Sequence, residues 1–91
     1  KPRVWFEPGR ALSAHAARGA SLRLDRRTRM MYDARHVFIN GEAYRAAGRD
    51  ATLLRQLADR RSLAPAAVKG FSASARALVS DWCEAGWLHV D

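Results

Sequence analysis

A chain of 91 residues has room for one modest hydrophobic core, because a domain of this size buries only about 60–65% of the surface its unfolded chain exposes. Its 48% hydrophobic and 27% charged residues match a folded globule and exclude a disordered or membrane-embedded chain. No apolar run reaches the roughly 18 residues of a spanning helix, and the formal net charge of +7 directs attention to acidic partners instead.

Its length makes residues 1–91 one domain, and because the chain opens on Lys1-Pro2-Arg3 without an initiator methionine we read it as a fragment of something longer. Trp5 and Phe6 are large apolar groups suited to anchoring the first segment on the body. Pro8 suits a first helical turn, Leu12, His15 and Ala16 share a stripe, and Gly19 stops it, which predicts a helix over residues 8–18. Residues 20–25 alternate, with Leu22 and Leu24 on one side and Ser21 and Arg23 on the other, as a half-buried strand does. Arg26-Arg27-Thr28 is its turn.

Residues 30–45 are predicted to form a three-stranded meander. Its second reversal is Asn40-Gly41, the pair that best tolerates the positive φ angles of a type I′ turn. That turn fixes the register: Val37 and Ile39 face one way, His36 and Phe38 the other, and Tyr44 returns on the partner strand. Asp33-Ala34-Arg35 makes the first reversal. A ribbon this small needs a helical cover.

Residues 46–49 read as a loop and Asp50 as the N-cap of a helix over 51–61, with Leu53, Leu54, Leu57 and Ala58 on one face. Residues 63–68 predict one or two helical turns led by Pro65 and ended by Lys69-Gly70. Ser72 or Ser74 caps a last helix in which Ala75, Leu78, Val79 and Trp82 recur at helical spacing, and Gly86 ends it. Trp87-Leu88-His89-Val90 then reads as a closing strand, expected to pair with the meander, with Trp82 and Trp87 filling much of the core. Helix, short helix, helix and strand is the order of winged helix-turn-helix domains, so the fold class is α+β: three main helices on a small antiparallel sheet.

Charge is unevenly placed. Residues 1–49 hold eleven Lys/Arg against four Asp/Glu, whereas residues 50–91 hold five of each. Arg23, Arg26, Arg27, Arg29 and Arg35 gather about the first strands with only Asp25 and Asp33 among them, and guanidinium groups so placed suit phosphate or another acidic partner. The plainer reading is a solvated loop in a chain that uses fourteen arginines against two lysines. The last helix is a poor reader of base edges, offering Arg76 but also Asp81 and Glu84.

Catalytic signatures are missing. There is no glycine-rich phosphate loop, no His-Glu-x-x-His and no nucleophile elbow, and the serines at 13, 21, 62, 72, 74 and 80 have no histidine or carboxylate at a suggestive spacing. His15 and His36 stand alone. His89-Val90-Asp91 matches two-thirds of the facial triad of non-haem iron oxygenases, but no second histidine follows it, so we assign no metal ligand. Cys83, the one cysteine, allows neither an internal disulfide nor a cysteine-based zinc site, and the simplest setting is a reducing, cytoplasmic one.

Arg23-Leu24-Asp25, Met30-Met31-Tyr32-Asp33, Val37-Phe38-Ile39-Asn40-Gly41-Glu42, residues 53–59, Trp82 and Ala85-Gly86-Trp87, taken in order, resemble the C-terminal winged-helix domain of bacterial JmjC/cupin-type ribosomal oxygenases. These enzymes hydroxylate an arginine of a large-subunit ribosomal protein. The likeness runs from about Phe6 to Val90. It implies that Fe(II) and 2-oxoglutarate are bound by an upstream barrel, followed by a helical dimerisation region. The fragment itself is then a non-catalytic accessory module with no catalytic, cofactor or metal residues. Its implied partners are those upstream domains, with ribosomal protein or RNA as further candidates for the arginine cluster. The alternative is a free-standing winged-helix nucleic-acid binder that uses the loop from Arg23 to Arg29.

Overall fold

The computed structural model describes residues 21–91, so Trp5, Phe6, His15 and the helix expected over residues 8–18 lie outside the described residues. Three helices and two three-stranded antiparallel sheets make up the rest, in the order β1 (Leu22–Leu24), β2 (Met30–Tyr32), β3 (His36–Ile39), β4 (Glu42–Arg45), α1 (Gly48–Arg60), β5 (Ser62–Leu63), α2 (Pro65–Val68), α3 (Ala73–Glu84) and β6 (Leu88–Val90).

The meander forms as its turn dictates. Asn40 and Gly41 take φ angles of 48° and 87°, and the hairpin they close pairs Ile39 with Glu42, Val37 with Tyr44 and His36 with Arg45. Asn40 contributes twice, for its side chain also accepts the Arg29 amide at 2.9 Å. Asp33 builds the other reversal by accepting the amides of Arg35 and His36, each at 2.8 Å. Val37 and Ile39 are buried, while His36 and Phe38 are half-buried on the opposite face.

Closure of the domain departs from the sequence expectation. β6 pairs with β1, not with the meander, setting Leu22 opposite Val90 and Leu24 opposite Leu88. Leu63, expected in a helical turn, is instead a strand residue opposite Leu22, so the second sheet runs β5-β1-β6. The end of α3 aims the chain at β1. Gly86, at φ 84°, donates to the Cys83 carbonyl at 3.0 Å, and the Trp87 amide donates to the Trp82 carbonyl at 2.9 Å, which is a Schellman reversal.

α1 begins at Gly48, earlier than expected, and its N-cap is Ala47. Gly48 at φ 59° admits the sharp exit from β4, leaving Asp50 inside the first turn. Its carboxylate reaches instead to the Ser72 amide at 2.9 Å and the Ser72 hydroxyl at 2.6 Å. Ser72 is thereby fixed as the N-cap of α3, its oxygen accepting the Ala75 amide at 3.2 Å.

One core joins these parts. Leu22 and Leu24 of β1, Val37 and Ile39 of β3, Leu53, Leu54 and Leu57 of α1, Phe71, Val79 and Trp82 of α3 and its approach, and Leu88 of β6 all pack into it. Tyr44 lies edge-to-face on Trp82, ring centroids 5.5 Å apart. Trp87 is only half-buried at the margin and fills less of the core than its size suggested.

Candidate functional site

The five arginines singled out by sequence do not form one patch. Arg23 on β1 is paired with Asp91, its Nε and Nη2 donating to the carboxylate at 2.8 and 3.1 Å in a fork-to-fork contact. That pairing raises the Arg23 pKa and lowers that of Asp91. Arg27 is turned onto Asp25, which accepts its backbone amide at 2.9 Å and its Nε at 3.2 Å. Two of the five are thus engaged within the domain. Arg26, Arg29 and Arg35 are exposed and meet no carboxylate among the described residues.

Asp25 organises the β1–β2 loop. His89 Nε2 lies 2.8 Å from its other oxygen, and this contact, with the two from Arg27, holds the Asp25 carboxyl well below the usual carboxylate range. The Thr28 hydroxyl donates to the Trp87 carbonyl at 2.7 Å, and Arg61 Nη2 donates to the carbonyls of Asp25 and Thr28, each at 2.9 Å. The basic loop is therefore a shaped element, on which Arg26 is exposed. His89 and Asp91, two-thirds of a possible iron triad, are each committed to a different partner, and no group of metal-ligating side chains converges among the described residues.

Arg29 and Arg35 stand at opposite ends of the β2–β3 hairpin, Arg29 beside Asn40 and Arg35 in the Asp33 turn. Arg35 therefore has different company. The pairing of His36 with Arg45, continued by the Ala46 amide donating to the Arg35 carbonyl at 3.1 Å, brings Arg35 beside the end of β4. Arg55 of α1 reaches the same place, its Nη2 donating to the Ala34 carbonyl at 3.3 Å. Sequence reasoning passed over Arg45 and Arg55. The hairpin register implied by Asn40-Gly41 was the signal that could have joined Arg45 to Arg35.

The surface of α3 is no more basic than its sequence suggested, with Asp81 and Glu84 exposed and Arg76 half-buried. No helix among the described residues is long and apolar enough to cross a membrane.

Three helices set on small antiparallel ribbons, with a hairpin beside the helical body, define a winged-helix domain of mixed α and β structure. The model of one family, described as ROXA-like winged helix, matches residues 7–89. The chain belongs to that family, which takes its name from a ribosomal oxygenase. No curated protein and no solved structure gives a significant match.

Proposed function

We propose that this domain is a non-catalytic accessory module of a 2-oxoglutarate- and Fe(II)-dependent JmjC/cupin oxygenase that hydroxylates an arginine of a ribosomal protein. The observation that carries the reading is the family match across residues 7–89. Two features support it. The polar groups best placed for chemistry, His89, Asp25 and Asp91, are committed to fixing the β1–β2 loop and the end of β6. The helix that would read bases in a DNA-binding relative displays acidic side chains. In this reading iron and 2-oxoglutarate belong to the upstream barrel, and the module docks on the catalytic and dimerisation regions of its own chain in a cytoplasmic enzyme.

The test is the parent protein. We expect an upstream barrel bearing His-x-Asp and a distant histidine, turnover of 2-oxoglutarate to succinate by the full-length protein, and none by the 91-residue chain. Succinate formation by the 91-residue chain supplied with ferrous iron, or an upstream sequence lacking the barrel, would overturn the proposal.

A nucleic-acid-binding role is the second reading, favoured by the exposure of Arg26 and Arg29 on a braced loop. It requires affinity for polynucleotide that falls steeply with salt and weakens when Arg26 and Arg27 are changed to alanine.

A further inference from the structure

The β2–β3 turn, the end of β4 and the first turn of α1 enclose a cleft of about 350 Å³. Arg35, Arg45 and Arg55 line it, and every other lining residue among the described ones is alanine or glycine. Among the described residues, no carboxylate lines the cleft. Three guanidinium groups gathered about one concavity repel one another, and the arrangement is relieved when an anion occupies the space between them.

The cleft is also prepared for such an anion. Arg55 is held at the Ala34 carbonyl, and its guanidinium lies over the Tyr32 ring, 5.8 Å from the centroid. The Tyr32 hydroxyl is in turn anchored on the Asp59 carboxylate at 3.0 and 3.1 Å. Side chains already ordered lose less entropy when a ligand arrives. The nearby acids are directed elsewhere. Asp33 accepts the amides of its own turn, Asp59 accepts Tyr32, and Asp50 accepts both groups of Ser72.

The first turn of α1 borders the same cleft. Ala47 has no side-chain acceptor with which to cap the 13-residue helix, and the one acid in that turn is the Asp50 just described. Ala47, Gly48 and Ala51 of this helix start line the cleft, which puts the positive end of the helix dipole beside the three guanidinium groups. A carbon atom added to Gly48 would meet nothing within 4 Å, so the approach is open.

We infer that this cleft binds a phosphate group, supplied either as free phosphate or by the backbone of a polyribonucleotide. Guanidinium forks match phosphate oxygens in pairs, which chloride cannot exploit. The site shares only Arg35 with the arginine cluster seen in the sequence, and it stands whether or not the domain serves an oxygenase.

Titration of the 91-residue chain with inorganic phosphate, followed by amide and arginine Nε–H resonances, tests the assignment. Phosphate is expected to move the amides of Gly48 and Arg49 and the side-chain signals of Arg35, Arg45 and Arg55 at concentrations where chloride moves none. Arg45→Gln and Arg55→Gln should each weaken binding about tenfold or more, as loss of a charge-assisted hydrogen bond does. Arg60→Gln, exposed in the last turn of α1, should leave binding unchanged. In a second arm, an oligoribonucleotide that displaces phosphate from these resonances identifies backbone phosphate as the source, and one that does not identifies free phosphate. Shifts no larger than those from chloride, or equal in wild type and the Arg45 and Arg55 variants, would overturn the proposal. So would an acidic peptide that occupies the cleft more tightly than either phosphate source.

Discussion

Trp82 offers the most informative perturbation of the core. Its side chain is 2% exposed, packs on Tyr44, and buries an indole N–H that finds no hydrogen-bond acceptor among the described residues. The Tyr44 hydroxyl donates to the Glu42 carboxylate, which raises the Tyr44 pKa, and the indole N–H falls short of hydrogen-bond geometry to the Tyr44 oxygen. Trp82→Ala should cost about 3–5 kcal/mol, the usual loss for a large buried ring. This is a large share of the roughly 5–14 kcal/mol expected for a domain of this length. Trp82→Phe should behave very differently. The smaller ring gives up about 1–2 kcal/mol of contact and leaves a small void. Against this it removes a buried, unmet donor whose desolvation costs about 1–3 kcal/mol. The two contributions nearly cancel, so Trp82→Phe should lie within about 1 kcal/mol of wild type, a shift in Tm below about 8 °C. Trp82→Ala should lower Tm by at least about 12 °C. Urea unfolding followed by far-UV circular dichroism measures both, provided the slope with denaturant is unchanged. A loss of about 3 kcal/mol or more in Trp82→Phe would show that the N–H is engaged and refute the reasoning.

Gly41→Val should destabilise by about 1–2 kcal/mol from backbone strain at φ 87°, since a side chain there meets no neighbour; an unchanged Tm would show that the turn relaxes. The pKa of Asp25 is lowered by folding, as are those of Asp33 and Asp91, so each contributes stability above the ordinary carboxylate value. That contribution is lost as pH falls through the lower folded values, and stability should drop below about pH 4. Asp25→Asn should flatten the acid limb of a plot of stability against pH, and an unaltered limb would contradict the role given to His89 and Arg27. Burial raises the Cys83 thiol to about 11, so a thiol-specific disulfide reagent at neutral pH should react far more slowly with the folded chain than with the urea-unfolded chain. Equal rates would mean that α3 opens readily. Asp50→Ala and Ser72→Ala should show a coupling of about 0.5–3 kcal/mol in a double-mutant cycle, and strict additivity would show that the contact joining α1 to α3 contributes nothing.

The meander, the Ser72 cap and the Gly86 reversal were legible because each is encoded within a few residues. Asn40-Gly41 carries its own φ requirement, and Gly86 follows a helix whose apolar spacing is plain. What failed was non-local or positional. A three-residue strand such as Leu88–Val90 fits the edge of either sheet, and the choice of β1 is made by the direction in which the Gly86 turn releases the chain. Asp50 has the chemistry of an N-cap but sits within the first turn, because Gly48 lets the helix start sooner. The arginines were grouped by their nearness in sequence, whereas the β2–β3 hairpin sends Arg29 and Arg35 to opposite ends. Arg45 and Arg55, ten and twenty positions beyond Arg35, join it only once the register and the helix are in place.

The two sheets divide the work of the domain. The β5-β1-β6 sheet gathers segments from across the described chain, and its edge continues as Ser21 and Asp91 exchange backbone hydrogen bonds of 3.2 and 2.9 Å. The two ends of the described chain are therefore neighbours, tied again by Arg23 and Asp91. The β2-β3-β4 sheet is local in sequence, and its end, together with α1, forms the arginine-lined cleft. Because the local sheet does not depend on strands contributed from distant parts of the chain, substitutions at Arg45 should alter ligand affinity without disturbing the closure at β1 and β6. One sheet thus holds the two ends of the described chain together, while the other, with α1, shapes the cleft.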